Sequence, residues 1–163
     1  MKKLLFALAV LFAVPFWGNS QSINWMTFEE AIALNKKEPR KIIVDVYTDW
    51  CGWCKKLDND TYSNPEVINY INKKFYAVKF NAETKKDIVY KGKKYVNSNR
   101  THPLTYVLAQ SDNVGYPTTV FLDEKNNVIK VSRGYMDPKG FLPVLKYIGS
   151  NAYKTKTFEE YKK

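Results

Sequence analysis

Apolar residues fall into short runs whose spacing changes from one stretch to the next, and each spacing predicts an element. Lys41–Thr48 (KIIVDVYT) is rich in β-branched residues and apolar at consecutive positions up to Asp45. That is how a central strand covered on both faces reads. Phe75–Asn81 (FYAVKFN) alternates as a second strand. Thr118–Asp123 and Val128–Arg133 form two more, joined by the polar turn Glu124–Asn127, which predicts an antiparallel pair. Asp87–Val96 reads as a hairpin turning at Gly92, and Gln21–Trp25 as a short leader with an edge strand.

Helix signals lie between these runs. Thr27-Phe28-Glu29-Glu30 has the form of a capping box, so a helix should run to about Lys37 and stop before Pro39. A helix begins at Cys51 and carries Lys55, Lys56 and Leu57; another begins at Asn64-Pro65, with the asparagine as cap. Pro103 to Gln110 should be helical, with His102 before it as a cap or surface residue and no catalytic role. Asp137-Pro138 caps a last amphipathic helix to about Ile148, and Gly149–Lys163 is a polar, weakly helical tail. No repeat or linker divides the chain. Strands alternating with helices, then a terminal hairpin and helix, predict one α/β domain over 21–150 with a mixed sheet and helices on both faces.

Met1–Ser20 differs from the rest. Lys2 and Lys3 precede an apolar stretch from Leu4 to Trp17, and Gly18–Ser20 are small or polar. This is the organisation of a secretory signal peptide, with an uncleaved N-terminal anchor as the alternative. The stretch is shorter than the roughly 20 apolar residues that span a bilayer, so no stable insertion is expected once it is removed. Absence of a nearby cysteine argues against a lipid-modified N-terminus. A bacterial periplasmic or otherwise exported location follows.

Formal net charge is +10, and removing the leader takes two lysines and no acid, leaving +8. Such a balance can signal nucleic acid or an anionic membrane. Here the lysines are scattered in pairs such as Lys36/Lys37 and Lys93/Lys94. A solvated basic surface is expected, with no nucleic-acid partner.

Chemistry concentrates at the chain's two cysteines, Cys51 and Cys54, within Trp50-Cys51-Gly52-Trp53-Cys54-Lys55. Where a strand hands over to a helix, the first cysteine meets unpaired N–H groups and the positive end of the helix dipole. Those favour a thiolate, and a thiol pKa can fall from about 8.5 into the range of roughly 3.5–7.5. Cys51 could then attack a disulfide, with Cys54 resolving the mixed disulfide. A stabilising disulfide is a second reading, although so short a loop restrains the unfolded chain little. Half of a zinc site is a third, but His102 is the single histidine and no further cysteine exists. Export favours disulfide chemistry.

Several separate stretches resemble the thioredoxin superfamily. Val44-Asp45-Val46 followed by Trp50-Cys51-Gly52-Trp53-Cys54-Lys55 matches its strand and W-C-x-x-C-K motif. Gly115-Tyr116-Pro117-Thr118 matches its cis-proline segment, Val78-Lys79-Phe80-Asn81 the strand whose lysine lies near a buried aspartate, and Arg133-Gly134 the end of its last strand. The match covers roughly 25–148. The run from Tyr47 to Val67 resembles exported bacterial thioredoxin-like proteins and the periplasmic C-terminal domain of the membrane thiol–disulfide interchange protein. Segment 87–110 is longer than in minimal thioredoxins, a hairpin and helix insertion.

The resemblance implies roles for individual residues. Cys51 is the nucleophile and Cys54 the resolving thiol, the two forming a disulfide. Asp45, its pKa raised by burial, accepts the Cys54 proton, and Lys79 tunes Asp45 by pairing. Their plainer readings are a solvated strand-end acid and a surface lysine. A cis Tyr116–Pro117 bond would face the cysteines, leaving the Tyr116 backbone free to pair with an extended client; a trans Pro117 could simply begin the strand. Trp50 and Trp53 would form an apolar docking surface, though Trp50 is as well explained by packing. No organic cofactor and no metal are required.

The expected function is an exported protein-disulfide oxidoreductase acting on protein thiols and disulfides. Gly52-Trp53 contains no histidine, which favours a reductant, recharged by a membrane electron donor. A different class, a non-catalytic peptide-binding or chaperone module with a structural disulfide, stands beside it.

Overall fold

The computed structural model describes residues 22–163, so the leader expected at Met1–Ser20 lies outside the described residues. Strand β2 (Lys41–Tyr47) is the centre of a five-stranded sheet. It pairs in parallel with β3 (Phe75–Asn81), which in turn pairs in parallel with the short edge strand β1 (Trp25–Met26). On its other side β2 runs antiparallel to β6 (Thr118–Leu122), and β6 antiparallel to β7 (Val128–Arg133). The sheet order is β1-β3-β2-β6-β7. The mixed sheet is therefore as expected, with the edge strand displaced to the end of the leader segment.

Alternation along β2 explains its apolar run. Ile42, Val44 and Val46 join one core cluster and Ile43 the other. The first cluster receives Phe28 and Ala31 from helix α1 (Phe28–Lys37), and Leu104 and Leu108 from helix α4 (Pro103–Ala109). The second receives Leu57 from α2 (Gly52–Asp60), Val67, Ile68 and Ile71 from α3 (Pro65–Lys74), and Phe141, Val144, Leu145 and Ile148 from α5 (Pro138–Gly149). Helices thus cover both faces, and Asp45 falls on the face that α2, α3 and α5 cover.

Helix boundaries follow the sequence signals. Thr27 and Glu30 form a complete capping box, Asn64 caps α3 and Asp137 caps α5. His102 caps α4 through Nδ1, which accepts from the Leu104 N–H at 3.2 Å, and it is fully buried rather than at the surface.

The hairpin is present as β4 (Ile88–Tyr90) and β5 (Lys93–Tyr95), a two-stranded sheet of its own. Lys91 and Gly92 at its tip both have positive φ, the geometry of a two-residue turn that glycine makes accessible. Ile88 and Tyr90 enter the same cluster as α1 and α4, and the Tyr90 hydroxyl donates to the Asn126 carbonyl at 2.5 Å. The base of the insertion is closed by the His102 N–H donating to Ala82 O at 2.7 Å.

The tail does more than its polarity suggests. After a 3-10 turn at Ala152–Lys154, helix α6 (Phe158–Lys162) starts with its own capping box at Thr157 and Glu160. Phe158 and Tyr161 each lie 5.3 Å from the Tyr147 ring, centroid to centroid. Two aromatic residues among lysines and glutamates suffice to dock the segment, because aromatic pairs contribute beyond the area they bury. Replacing Phe158 with Ala should therefore lower the unfolding free energy by about 1–2 kcal/mol, since the ring is only partly buried. Urea denaturation would measure it, and a wild-type midpoint would show that the tail contributes nothing.

Candidate active site

Helix α2 begins on the first cysteine. Cys51 is its N-cap, with φ −77° and ψ 105°, and Sγ accepts from the Cys54 N–H at 3.0 Å. The two sulfurs form a disulfide across Cα atoms 5.3 Å apart. The Cys51 sulfur thus takes a backbone N–H of the first helical turn at the positive end of the helix dipole. The pair is nearly enclosed: Cys51 keeps 4% of its surface exposed and Cys54 2%.

Aromatic side chains stand around it. Trp50 and Trp53 are each 59% exposed, far more than packing alone would leave. Trp50 meets Tyr116 edge to face at 5.9 Å, and Trp53 lies 5.6 Å from Tyr135. The Tyr116–Pro117 peptide bond is cis. Pro117 O accepts from the Gly134 N–H at 2.8 Å, and Gly134 has a φ of +84°, which only glycine adopts readily. Lys56, in the first turns of α2, pairs with Asp60 at 2.6 Å.

Beneath the helix lies a charged cluster. Asp45 is 1% exposed, with Oδ2 accepting from Lys79 Nζ at 2.5 Å and Oδ1 without a hydrogen-bond partner among the described residues. Lys79 also donates to Asp58 on α2, one helical turn beyond Cys54. Its ammonium lies 5.0 to 5.4 Å from the rings of Trp25, Tyr47 and Tyr62. The lysine is therefore no surface residue; it ties β2 and β3 to the helix that carries the cysteines.

A thioredoxin-like domain model matches residues 28–149, which include every element just described from α1 to α5. The chain belongs to this thioredoxin-like family. Thiol:disulfide interchange protein DsbD of Haemophilus influenzae strain PittEE is 33% identical over 107 residues, 64% of this chain and 16% of DsbD. The chain thus spans about a sixth of the length of that curated relative. A thioredoxin-fold protein from Helicobacter pylori superposes with a TM-score of 0.60 at 20% identity, covering 90% of this chain and 92% of that one. The reduced C-terminal domain of Neisseria meningitidis DsbD gives 0.52 at 17% identity, covering 72% and 90%. These structures share the fold of this thioredoxin-like chain.

Burial dominates the electrostatics of its Asp45, raising the carboxyl pKa to about 6 even though Lys79 pulls it down. Burial also opposes the charge on Lys79, but Asp45 and Asp58 together outweigh it and hold that ammonium above its ordinary pKa. Among the described residues no group of three or more His, Cys, Asp or Glu could hold a metal ion.

Three polar residues escaped the reading of the sequence. Asp58 had one signal, its place four residues after Cys54 on the same helix face. Glu83 and Arg100 had none. Glu83 Oε2 accepts from Trp50 Nε1 at 3.1 Å and its Oε1 accepts from Arg100 Nε at 2.7 Å. Hydrogen bonds from Arg100 first, then Trp50, hold the Glu83 carboxyl below its ordinary pKa.

The raised Asp45 pKa fixes the sign of a stability effect. The native state holds the proton more tightly than the unfolded chain, so this group's contribution is full below about pH 4 and lost as pH rises to about 6. Asp45→Asn, which leaves Lys79 its Asp58 partner, should therefore stabilise the protein at pH 8 by about 2 kcal/mol and by much less at pH 4. Denaturation at both pH values tests this; an equal effect at the two would refute the assignment.

Proposed function

We propose that this chain is an exported thiol–disulfide oxidoreductase that reduces protein disulfides through Cys51 and Cys54. The observation that carries the reading is the disulfide set on the first turn of α2, with Cys51 as its N-cap. In the dithiol form, the helix start favours the Cys51 thiolate. Its sulfur attacks a client disulfide, one client sulfur leaves as thiolate, and a mixed disulfide forms. Cys54 then loses its proton to Asp45, attacks Cys51 Sγ and releases the second client sulfur. Two electrons pass to the client, which takes up two protons, and the protein is left as the disulfide.

Other residues have supporting roles. Lys79 keeps Asp45 from being too poor a proton donor afterwards, because it stabilises the carboxylate. Trp50, Trp53, Tyr116 and Pro117 form the surface on which an extended client segment lies. Gly52-Trp53 offers no imidazole to stabilise the thiolate further, which supports the reducing direction. A membrane dithiol donor would restore the reduced pair, and the apolar leader supports export. The match to DsbD, a thiol:disulfide interchange protein, agrees with this chemistry.

The near-enclosure of the sulfurs is also what a binding module with a structural disulfide would show. Turnover separates the two. With the mature chain and a disulfide-bonded protein substrate, Cys51→Ser should abolish reduction and Cys54→Ser should accumulate mixed disulfides visible on a non-reducing gel. Equal behaviour of both variants and wild type would leave only the binding module. Equilibration with glutathione should give a potential at the reducing end of a range that spans roughly 150 mV among related scaffolds, and an oxidising value would reverse the direction.

A further inference from the structure

The segment between β3 and α4 brings a cation to the disulfide face. Arg100 binds Glu83 through Nε alone, and its guanidinium carbon lies 5.5 Å from the centre of the Trp50 ring. Among the described residues its Nη groups have no hydrogen-bond partner, and the side chain is 75% exposed. Both Glu83 oxygens are already taken, one by Arg100 and one by the Trp50 indole. The arginine thus retains the paired N–H groups of its fork, the part of a guanidinium that binds a carboxylate with two parallel bonds.

Arg100, Trp50, Thr101, Tyr106, Asp112 and Tyr116 line a cleft of about 250 Å³. Trp50, the residue before Cys51, and Tyr116, the residue before Pro117, place this cleft directly beside the disulfide and the cis peptide. The cleft therefore offers a path to an extended segment whose cysteine has reached Cys51. Charges around the cleft are few. Lys85 is held by the Asn99 carbonyl at 2.6 Å, Glu83 is neutralised by Arg100, and Asp112 lies among the lining residues. An incoming anion is therefore attracted to Arg100 and repelled by Asp112, whereas the Glu83 carboxylate, with one hydrogen bond on each oxygen, is already offset by the Arg100 charge.

We infer that Arg100 is a specificity-determining residue, its Nη groups binding an acidic side chain close in sequence to the client cysteine under attack. The inference rests on the oxidoreductase reading and adds the class of client to it. Arg100 touches no reacting sulfur. It selects among clients, and Glu83 positions both Arg100 and the Trp50 ring against which the client lies.

Three disulfide-bonded peptides, identical except for Glu, Gln or Lys beside the attacked cysteine, test this with the reduced mature chain. Wild type should favour the Glu peptide over the Lys peptide by about fivefold in kcat/KM, the scale of one exposed ion pair. The difference should lie in KM, with kcat shared, and shrink in high salt. Arg100→Gln should bring the ratio to one or below, because Glu83 is then uncompensated. The Arg100→Gln, Glu83→Gln double variant should lie above Arg100→Gln but not above one, because Asp112 remains, and Arg100→Glu should favour the Lys peptide. An unchanged preference in all variants, or no preference in wild type, overturns the subsite and leaves the oxidoreductase intact. Failure of wild type to reduce any peptide overturns the oxidoreductase reading, and the subsite with it.

Discussion

A carboxylate in the middle of an apolar strand is a liability unless a cation stands against it. Asp45 occupies such a place in β2, and Lys79, at the paired position on β3, supplies the cation. The same ammonium reaches Asp58 on α2. One positive charge between two negative ones locks sheet to helix, and that helix is the one that begins on Cys51. Because burial outweighs the attraction of Lys79, the buried acid remains able to hold a proton near neutrality. A fully apolar core would have been more stable there, and it would have held no titratable group near neutrality in the strand next to α2.

The aromatic rim solves a different problem. Two tryptophans more than half exposed on a small domain are costly in solubility terms. Each is nonetheless restrained on one side: Trp50 by Glu83 and Tyr116, Trp53 by Tyr135, whose hydroxyl in turn donates to Asp60 at 2.9 Å. A restrained ring loses less freedom when a client lands on it, so more of its buried area is available as affinity.

The sheet and the cysteine pair could be read directly because their signals are local. β2 declares itself through consecutive branched residues, α1 and α3 through their caps, and the redox pair through its spacing at a strand-to-helix junction. Asp45 was within reach because it interrupts an apolar strand, and Lys79 because its strand resembles the one that carries the thioredoxin lysine; alternation alone fits a surface lysine equally well. Asp58, Glu83 and Arg100 were not, since exposed-looking acids and bases on helices and loops carry no periodicity, and their meaning comes from contacts across 17 to 33 residues of sequence. The docked tail was hidden for a similar reason. Phe158 and Tyr161 are sparse among charges, and their partner Tyr147 belongs to another helix.

The base of the inserted segment is fastened by the backbone bond between His102 and Ala82, just beyond the end of β3 and just before α4, and by the side-chain bonds Arg100–Glu83, Lys85–Asn99 and Asn97–Thr84. The hairpin above it rests on the domain but adds no strand to the main sheet. The pairings that set the register of the five strands lie outside the segment between those anchor points, which meets the domain through Ile88 and Tyr90 in the core and through Glu83 at Trp50. Such an arrangement keeps the cysteine pair on the sheet-and-helix scaffold and the residues flanking Trp50 on a separately fastened loop.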